Sequence, residues 1–138
     1  MAEQTETQAE VNLAFSALCC WRENRGGGEE GMQSVLNVLV NRAKQRGTSI
    51  YAEAVRRLQF SSMTAPGDPN LVLFPTVLDP EWLTALSLAS KAASGLLDDI
   101  TGGATFYYAA SMPRPPIWAS SMIPTVTIAG QHFFCPKA

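Results

Sequence analysis

A chain of 138 residues is one domain's worth of protein, since a single core is built from about 100 to 200 residues. With 46% hydrophobic and 16% charged residues it has the apolar area to pack a core, which excludes a disordered chain. Ten basic against twelve acidic residues leave a net charge of −2, so no cationic field favours nucleic acid, and the single histidine, His132, excludes zinc sites built on several imidazoles.

The opening residues, Met1 to Thr7, are acidic and polar where a secretory signal is basic and then apolar. They are expected to form a flexible extension over residues 1–7 of one domain spanning 1–138, synthesised in a cytoplasm without a signal peptide. Thr7 and Glu10 have the spacing of a capping box, and Val11, Ala14, Phe15, Leu18 and Cys19 recur as one apolar helical face. The apolar stretch Val11 to Trp21 is about half the roughly 20 residues of a membrane span, so no membrane insertion is expected. Glu23 falls at the border of that face, one turn beyond Cys19, where it can look into a groove. Gly26-Gly27-Gly28 ends the helix as a tight turn; with no Lys-Ser or Lys-Thr after it, it is not a phosphate cradle.

A second helix, Glu29 to Arg46, is apolar on several sides through Met32, Val35, Leu36, Val38, Leu39, Val40 and Ala43, which makes it the expected central helix. Ile50 to Leu58 forms a shorter block with Ala54, Val55 and Leu58 inward and Arg56-Arg57 outward. Ser61 to Leu78 is a long irregular loop by its prolines. Asp79-Pro80-Glu81 starts a helix that Trp82, Ala85, Leu86, Ala89 and Ala93 continue to Gly95. After Thr101-Gly102-Gly103 the β-branched and aromatic runs Thr105 to Tyr108 and Thr125 to Ile128 predict a small antiparallel sheet or hairpin in the C-terminal third. The fold class is α+β, dominated by helix. Cys19, Cys20 and Cys135, an odd set, read as reduced core residues.

Several motifs occur in a familiar order: Glu23-x-Arg25-Gly26 with Glu30-Gly31, then Asn41-Arg42, then Gln59-Phe60-Ser61. Asp99-x-Thr101-Gly102-Gly103-Ala104-Thr105-x-Tyr107-Tyr108-Ala109, Pro116-x-Trp118-Ala119 and Gly130-x-His132-x-Phe134 follow. From about Leu13 to Phe134 the chain resembles the SleB-type cell wall hydrolases of spore-cortex lysis and of some bacteriophage lysis systems. The resemblance implies a compact lysozyme-like fold, no cofactor, and cleavage of peptidoglycan glycan strands between N-acetylmuramic acid and N-acetylglucosamine. Glu23 matches the family's catalytic acid/base, with Glu30 and Asn41 in support. Asn24, Gly27, Met32 and Phe106 depart from the usual alanine, glutamate, glutamine and histidine, so no catalytic role is assigned at Phe106.

The residues agree with that role for Glu23. Protonating a poor leaving group at neutral pH takes a carboxylic acid in an apolar setting, and Trp21, Cys19, Cys20, Phe60 and Trp118 are candidates to provide one. The competing reading is a salt bridge from Glu23 to Arg22, Arg25 or Arg42. Sugars are held by aromatic faces and fixed polar groups, for which Gln59, Ser61, Thr105, Tyr107, Tyr108, Trp118 and His132 are the substrate-binding candidates. Strand alternation puts Phe106 and Tyr108 on one side and Tyr107 on the other, and Tyr107 is preferred for the groove. Arg42, Lys44, Arg46, Arg56 and Arg57 read as a solvated face, or as attraction to an anionic envelope.

Two-carboxylate hydrolysis requires a second acid about 5 to 9.5 Å from the first, and Glu29, Glu30, Asp98 and Asp99 are not compelling partners. A lytic transglycosylase needs only one carboxylate, so that outcome is expected. The alternatives are a hydrolytic muramidase, a Cys20/His132 amidase or endopeptidase, and a wall-binding virion component without activity. An endolysin that reaches the wall with a holin's help, and acts as a monomer, is the expected biological setting.

Overall fold

The computed structural model describes residues 5–56 and 59–137. Its first helix, α1, covers Glu6–Asn24, and Thr5 rather than Thr7 is the N-cap. The Thr5 hydroxyl accepts from Gln8 N at 3.1 Å while the Gln8 side chain accepts from Thr5 N at 2.8 Å, a complete capping box. Thr5, Glu6 and Thr7 of the expected extension therefore belong to the helix start, and residues 1–4 lie outside the described residues. The buried face of α1 is also rotated from the expected one: Val11 and Phe15 are exposed, whereas Ser16, Ala17, Cys19, Cys20 and Trp21 are buried. Small side chains let the helices over Gly28–Arg46 (α2) and Pro80–Ala93 (α5) approach there, and Ser16 is accommodated because its hydroxyl donates to the Leu13 carbonyl at 3.1 Å.

Gly28, at φ +70°, makes the reversal after a short 3-10 turn, and α2 follows over Gly28–Arg46. α2 is central, with Met32, Val35, Leu36, Val38 and Leu39 buried against α1, α3 (Ile50–Ala54) and α5 (Pro80–Ala93). α3 stops earlier than the expected Leu58; Arg57 and Leu58 lie outside the described residues. Ser61 to Leu78 is irregular as expected, but holds a one-turn helix, α4 (Ser61–Thr64), and a 3-10 turn over Pro69–Val72. On α5 the buried residues are Ala85, Leu88, Ala89 and Ala92, with Ala93 outside. No described helix is long and apolar enough to cross a membrane.

The C-terminal third is a three-stranded antiparallel sheet, β1 (Phe106–Ala109), β2 (Met122–Ile128) and β3 (Gln131–Pro136), in the order β1-β3-β2. β2 and β3 are joined through Ala129 and Gly130, at φ 48° and 78°, the positive pair that a two-residue hairpin turn requires. β2 shifts register between Pro124 and Val126. This irregularity directs the Thr125 hydroxyl to the Thr101 carbonyl at 2.6 Å, fastening the sheet to the loop before β1.

That loop is clamped from the other side by α2. Gln33, Asn37 and Asn41 recur every four residues and so share one face. Gln33 Nε2 and Asn37 Nδ2 both donate to the Asp98 carbonyl at 2.9 Å, and Asn37 Oδ1 accepts from Ile100 N at 3.0 Å. Asn41 Nδ2 donates to Asp99 Oδ2 at 3.0 Å and to the Ala104 carbonyl at 2.9 Å. The Asp99 carboxylate closes the loop by accepting from Thr101 N, Thr101 Oγ1 and Gly103 N. The direction of β1, and with it the position of Tyr107, is set by this polar ladder.

Candidate active site

Glu23 sits in the last turn of α1, half-buried, in the wall of a cavity of about 510 Å³. The other walls are Arg42 from α2, Tyr107 from β1, and Gln59, Ser61, Thr64, Ala65 and Pro66 from the segment around α4. The Tyr107 hydroxyl donates to Glu23 Oε1 at 2.7 Å. Burial, followed by the neighbouring Glu23, pushes the Tyr107 phenol well above its ordinary range, so it remains a protonated donor. Phe60 is buried next to the Tyr107 ring, with centroids 6.5 Å apart, and Phe133 lies 5.3 Å away on the sheet.

The arginines considered as partners of Glu23 are engaged elsewhere. Arg22 donates to the carbonyls of Leu73 and Ser62 at 3.0 and 3.1 Å, tying the irregular segment to α1. Arg25 donates to Asn70 Oδ1 at 3.1 Å and lies over the Trp21 ring. Among the described residues both ion pairs belong to the fully buried Glu53, with Arg46 at 3.6 Å and Arg56 at 2.8 Å. Arg42 does not belong to a solvated face: it is 4% exposed, donates through Nε to the Thr105 carbonyl, and lies over the rings of Phe60 and Phe106. Burial pushes its guanidinium below the ordinary range.

The other sequence candidates separate. Gln59, Ser61 and Tyr107 share the cavity with Glu23. Ser61 is oriented by Asp68, whose Oδ2 accepts from its hydroxyl at 2.6 Å and whose Oδ1 accepts from Asn70 N at 2.8 Å. Thr105 is buried immediately before β1 and does not line the cavity. Tyr108, as strand alternation predicts, and Trp118, against its expected place in the groove, lie on the other side of the sheet, where Tyr108 stacks on Phe134 at 5.5 Å and Trp118 meets Phe106 and Phe134. His132 is also away from Glu23, hydrogen-bonded to Thr127 at 2.7 Å and lining a shallow cavity of about 450 Å³ with Tyr108. Alternation is the reason: Tyr108 pairs with His132 and both face away from Tyr107. Glu30 is exposed on α2, and Asn41 acts through the clamped loop.

The Cys20/His132 pairing fails on placement. Cys20 lies in the helical core with its thiol donating to the Ala17 carbonyl at 3.3 Å, and burial pushes that thiol strongly up, the reverse of an activated nucleophile. Asp68 is the site residue that local reading missed, and Arg42, read as an ion-pair candidate for Glu23 or part of a solvated face, was not expected to be buried in the cavity wall. The signal for Arg42 was its i, i+4 step from the buried Val38, and Asp68 offered none.

A family model described as cell wall hydrolase matches residues 26–135. The chain belongs to the cell wall hydrolase family. Glu23 stands just before the matched segment, and solved structures extend the comparison across it. The catalytic domain of the germination-specific lytic transglycosylase SleB from Bacillus anthracis superposes with a TM-score of 0.69 at 19% identity, covering 97% of this chain and 100% of that one. The catalytic domain of the Bacillus cereus SleB protein gives a TM-score of 0.68 at 22% identity, covering 91% and 90%. This cell wall hydrolase shares their fold, helix-dominated with a small C-terminal sheet. No curated protein matches the sequence.

Proposed function

We propose that the protein cleaves the glycan strand of peptidoglycan between N-acetylmuramic acid and N-acetylglucosamine, as a lytic transglycosylase with Glu23 as its single acid and base. The observation that carries this reading is that Glu23 is the one carboxylate among the described residues lining the cavity. Membership of the cell wall hydrolase family and the fold shared with the SleB catalytic domains support it.

Tyr107 occupies Glu23 Oε1, which leaves Oε2 to exchange the proton. In the first half of the reaction the Glu23 carboxyl gives its proton to the bridging oxygen as the bond to muramic C1 breaks, releasing the N-acetylglucosamine hydroxyl. In the second half the carboxylate takes the proton of the muramic 6-hydroxyl while that oxygen bonds to C1. The acid is regenerated and a 1,6-anhydro ring remains. The tethered hydroxyl is already near C1, so proximity replaces a bound water.

Mass spectrometry of wall digests tests the outcome: 1,6-anhydromuramic ends, one water lighter than reducing ends, are expected. Glu23→Gln, which keeps the shape and loses the proton, should lower lysis by about 10²- to 10⁴-fold in a protein that still folds. A folded variant keeping a tenth of the activity refutes the assignment. Mainly reducing ends would favour hydrolysis; Asp68, hydrogen-bonded to the cavity-lining Ser61, would then be the second carboxylate to test, as Asp68→Asn. The endolysin role, with access to the wall aided by a holin, rests on the family resemblance. Lysis from within cells only on co-expression of a membrane-permeabilising protein would support it.

A further inference from the structure

Arg42 is the one cation among the described residues lining the Glu23 cavity, and it makes no ion pair among them. Its Nε is committed to the Thr105 carbonyl, yet among the described residues Nη1 has no hydrogen-bond partner although it is buried. The rings of Phe60 and Phe106, 5.2 and 4.8 Å from the guanidinium carbon, restrict its movement. A guanidinium withdrawn from water is poorly satisfied by a single backbone carbonyl. Arg42 lines the cavity, and the group that fits a guanidinium there in both charge and hydrogen bonding is a carboxylate.

We propose that Arg42 binds a carboxylate of the muramic unit, either its lactyl group or the peptide carried on it. This rests on the glycan-cleaving reading of the same cavity. Of the two sugars that alternate along the strand, only muramic acid bears such an acid. The acetamido groups occur on both sugars and offer only a neutral carbonyl. Arg42 thereby distinguishes the two sugars and sets the register of the strand, bringing a muramic C1, rather than that of N-acetylglucosamine, to Glu23.

Binding to the full chain carrying Glu23→Gln, which does not turn over, tests this with three ligands followed by calorimetry. A peptide-free muramic-containing tetrasaccharide offers the lactyl carboxylate, the peptide-bearing form offers only peptide carboxylates, and chitotetraose offers none. A muramic ligand should bind about tenfold or more tighter than chitotetraose. Adding Arg42→Gln should erase that preference while chitotetraose affinity changes by less than about twofold, and Arg42→Lys should restore part of it. Preference for the peptide-free ligand identifies the lactyl group; preference confined to the peptide-bearing ligand identifies the peptide. Should Arg42→Gln not fold, the lactyl methyl ester replaces it: bound to the Glu23→Gln protein, it should lose any preference that the free acid shows, and an ester bound as tightly as a preferred free acid excludes the lactyl group. Equal losses for all ligands in the Arg42→Gln variant, the result of a strut to Thr105 alone, would overturn the proposal. So would equal binding of muramic ligands and chitotetraose, which leaves the glycan reading intact, whereas no saccharide binding at all would refute both.

Discussion

Tyr107→Phe isolates the contact on which the single-carboxylate chemistry depends. The substitution deletes one oxygen and leaves the ring between Phe60 and Phe133, so packing is conserved while Glu23 Oε1 loses its 2.7 Å donor. A hydrogen bond to a charged group is worth about 1.5–3 kcal/mol. If that is expressed in the transition state, turnover falls by about 10- to 150-fold. The loss should appear in kcat more than in KM, because the hydroxyl is bonded to Glu23 and orients the acid. The freed oxygen faces a cavity that water can enter, so the melting temperature should stay within about 5 °C. Initial rates of clearing of a wall suspension, over a range of substrate concentration, give the comparison. Turnover within about twofold of the unsubstituted protein, with the fold intact, would show that Glu23 needs no such anchor and refute the reasoning.

Stability should respond at Glu53, where Arg46, Arg56 and the Thr48 hydroxyl converge on a fully buried carboxylate. Glu53→Gln should cost about 1–2 kcal/mol in urea denaturation, because the arginines are partly exposed and can turn to water. Burial alone would raise Glu53 and Asp99, but hydrogen bonds from Arg56 and Thr48, and from Thr101, Asn41 and Gly103, hold them below the usual carboxylate range; Ser61 does the same for Asp68. Their stabilisation is complete above the unfolded values near about pH 4 and is lost as pH falls through the lowered folded ones, so the urea midpoint should drop in acid. Asp99→Asn should make that drop shallower, and an unchanged slope would contradict the assignment. Iodoacetamide added to the folded protein should leave lysis intact, since Cys19 and Cys20 are buried with raised thiols. Rapid inactivation tracking with modification of Cys20 would count against this placement.

Helix positions, the glycine turn, and the placing of Glu23 at a groove border were legible because each depends on residues within a few turns of one another. The opposite faces of Tyr107 and Tyr108 followed from the two-residue period of a strand, and that alone was enough to prefer Tyr107. Two readings within local reach still went astray. Thr5 competed with Thr7 for the same cap, and the inner face of α1 is lined by small residues that hydrophobicity undervalues.

The rest required the chain to be folded. Trp118 and His132 have the chemistry of sugar binders, but β3 pairing sets His132 opposite Tyr108, and Trp118, in the 3-10 turn before β2, packs on Phe106 and Phe134, so both lie away from Glu23. Arg42 belongs to a run of basic residues, and its burial depends on Thr105, Phe60 and Phe106, which reach it from other parts of the chain. Hydropathy measures a side chain's average preference for water. Whether a particular cation is withdrawn from it is decided by the groups that long-range packing gathers around it.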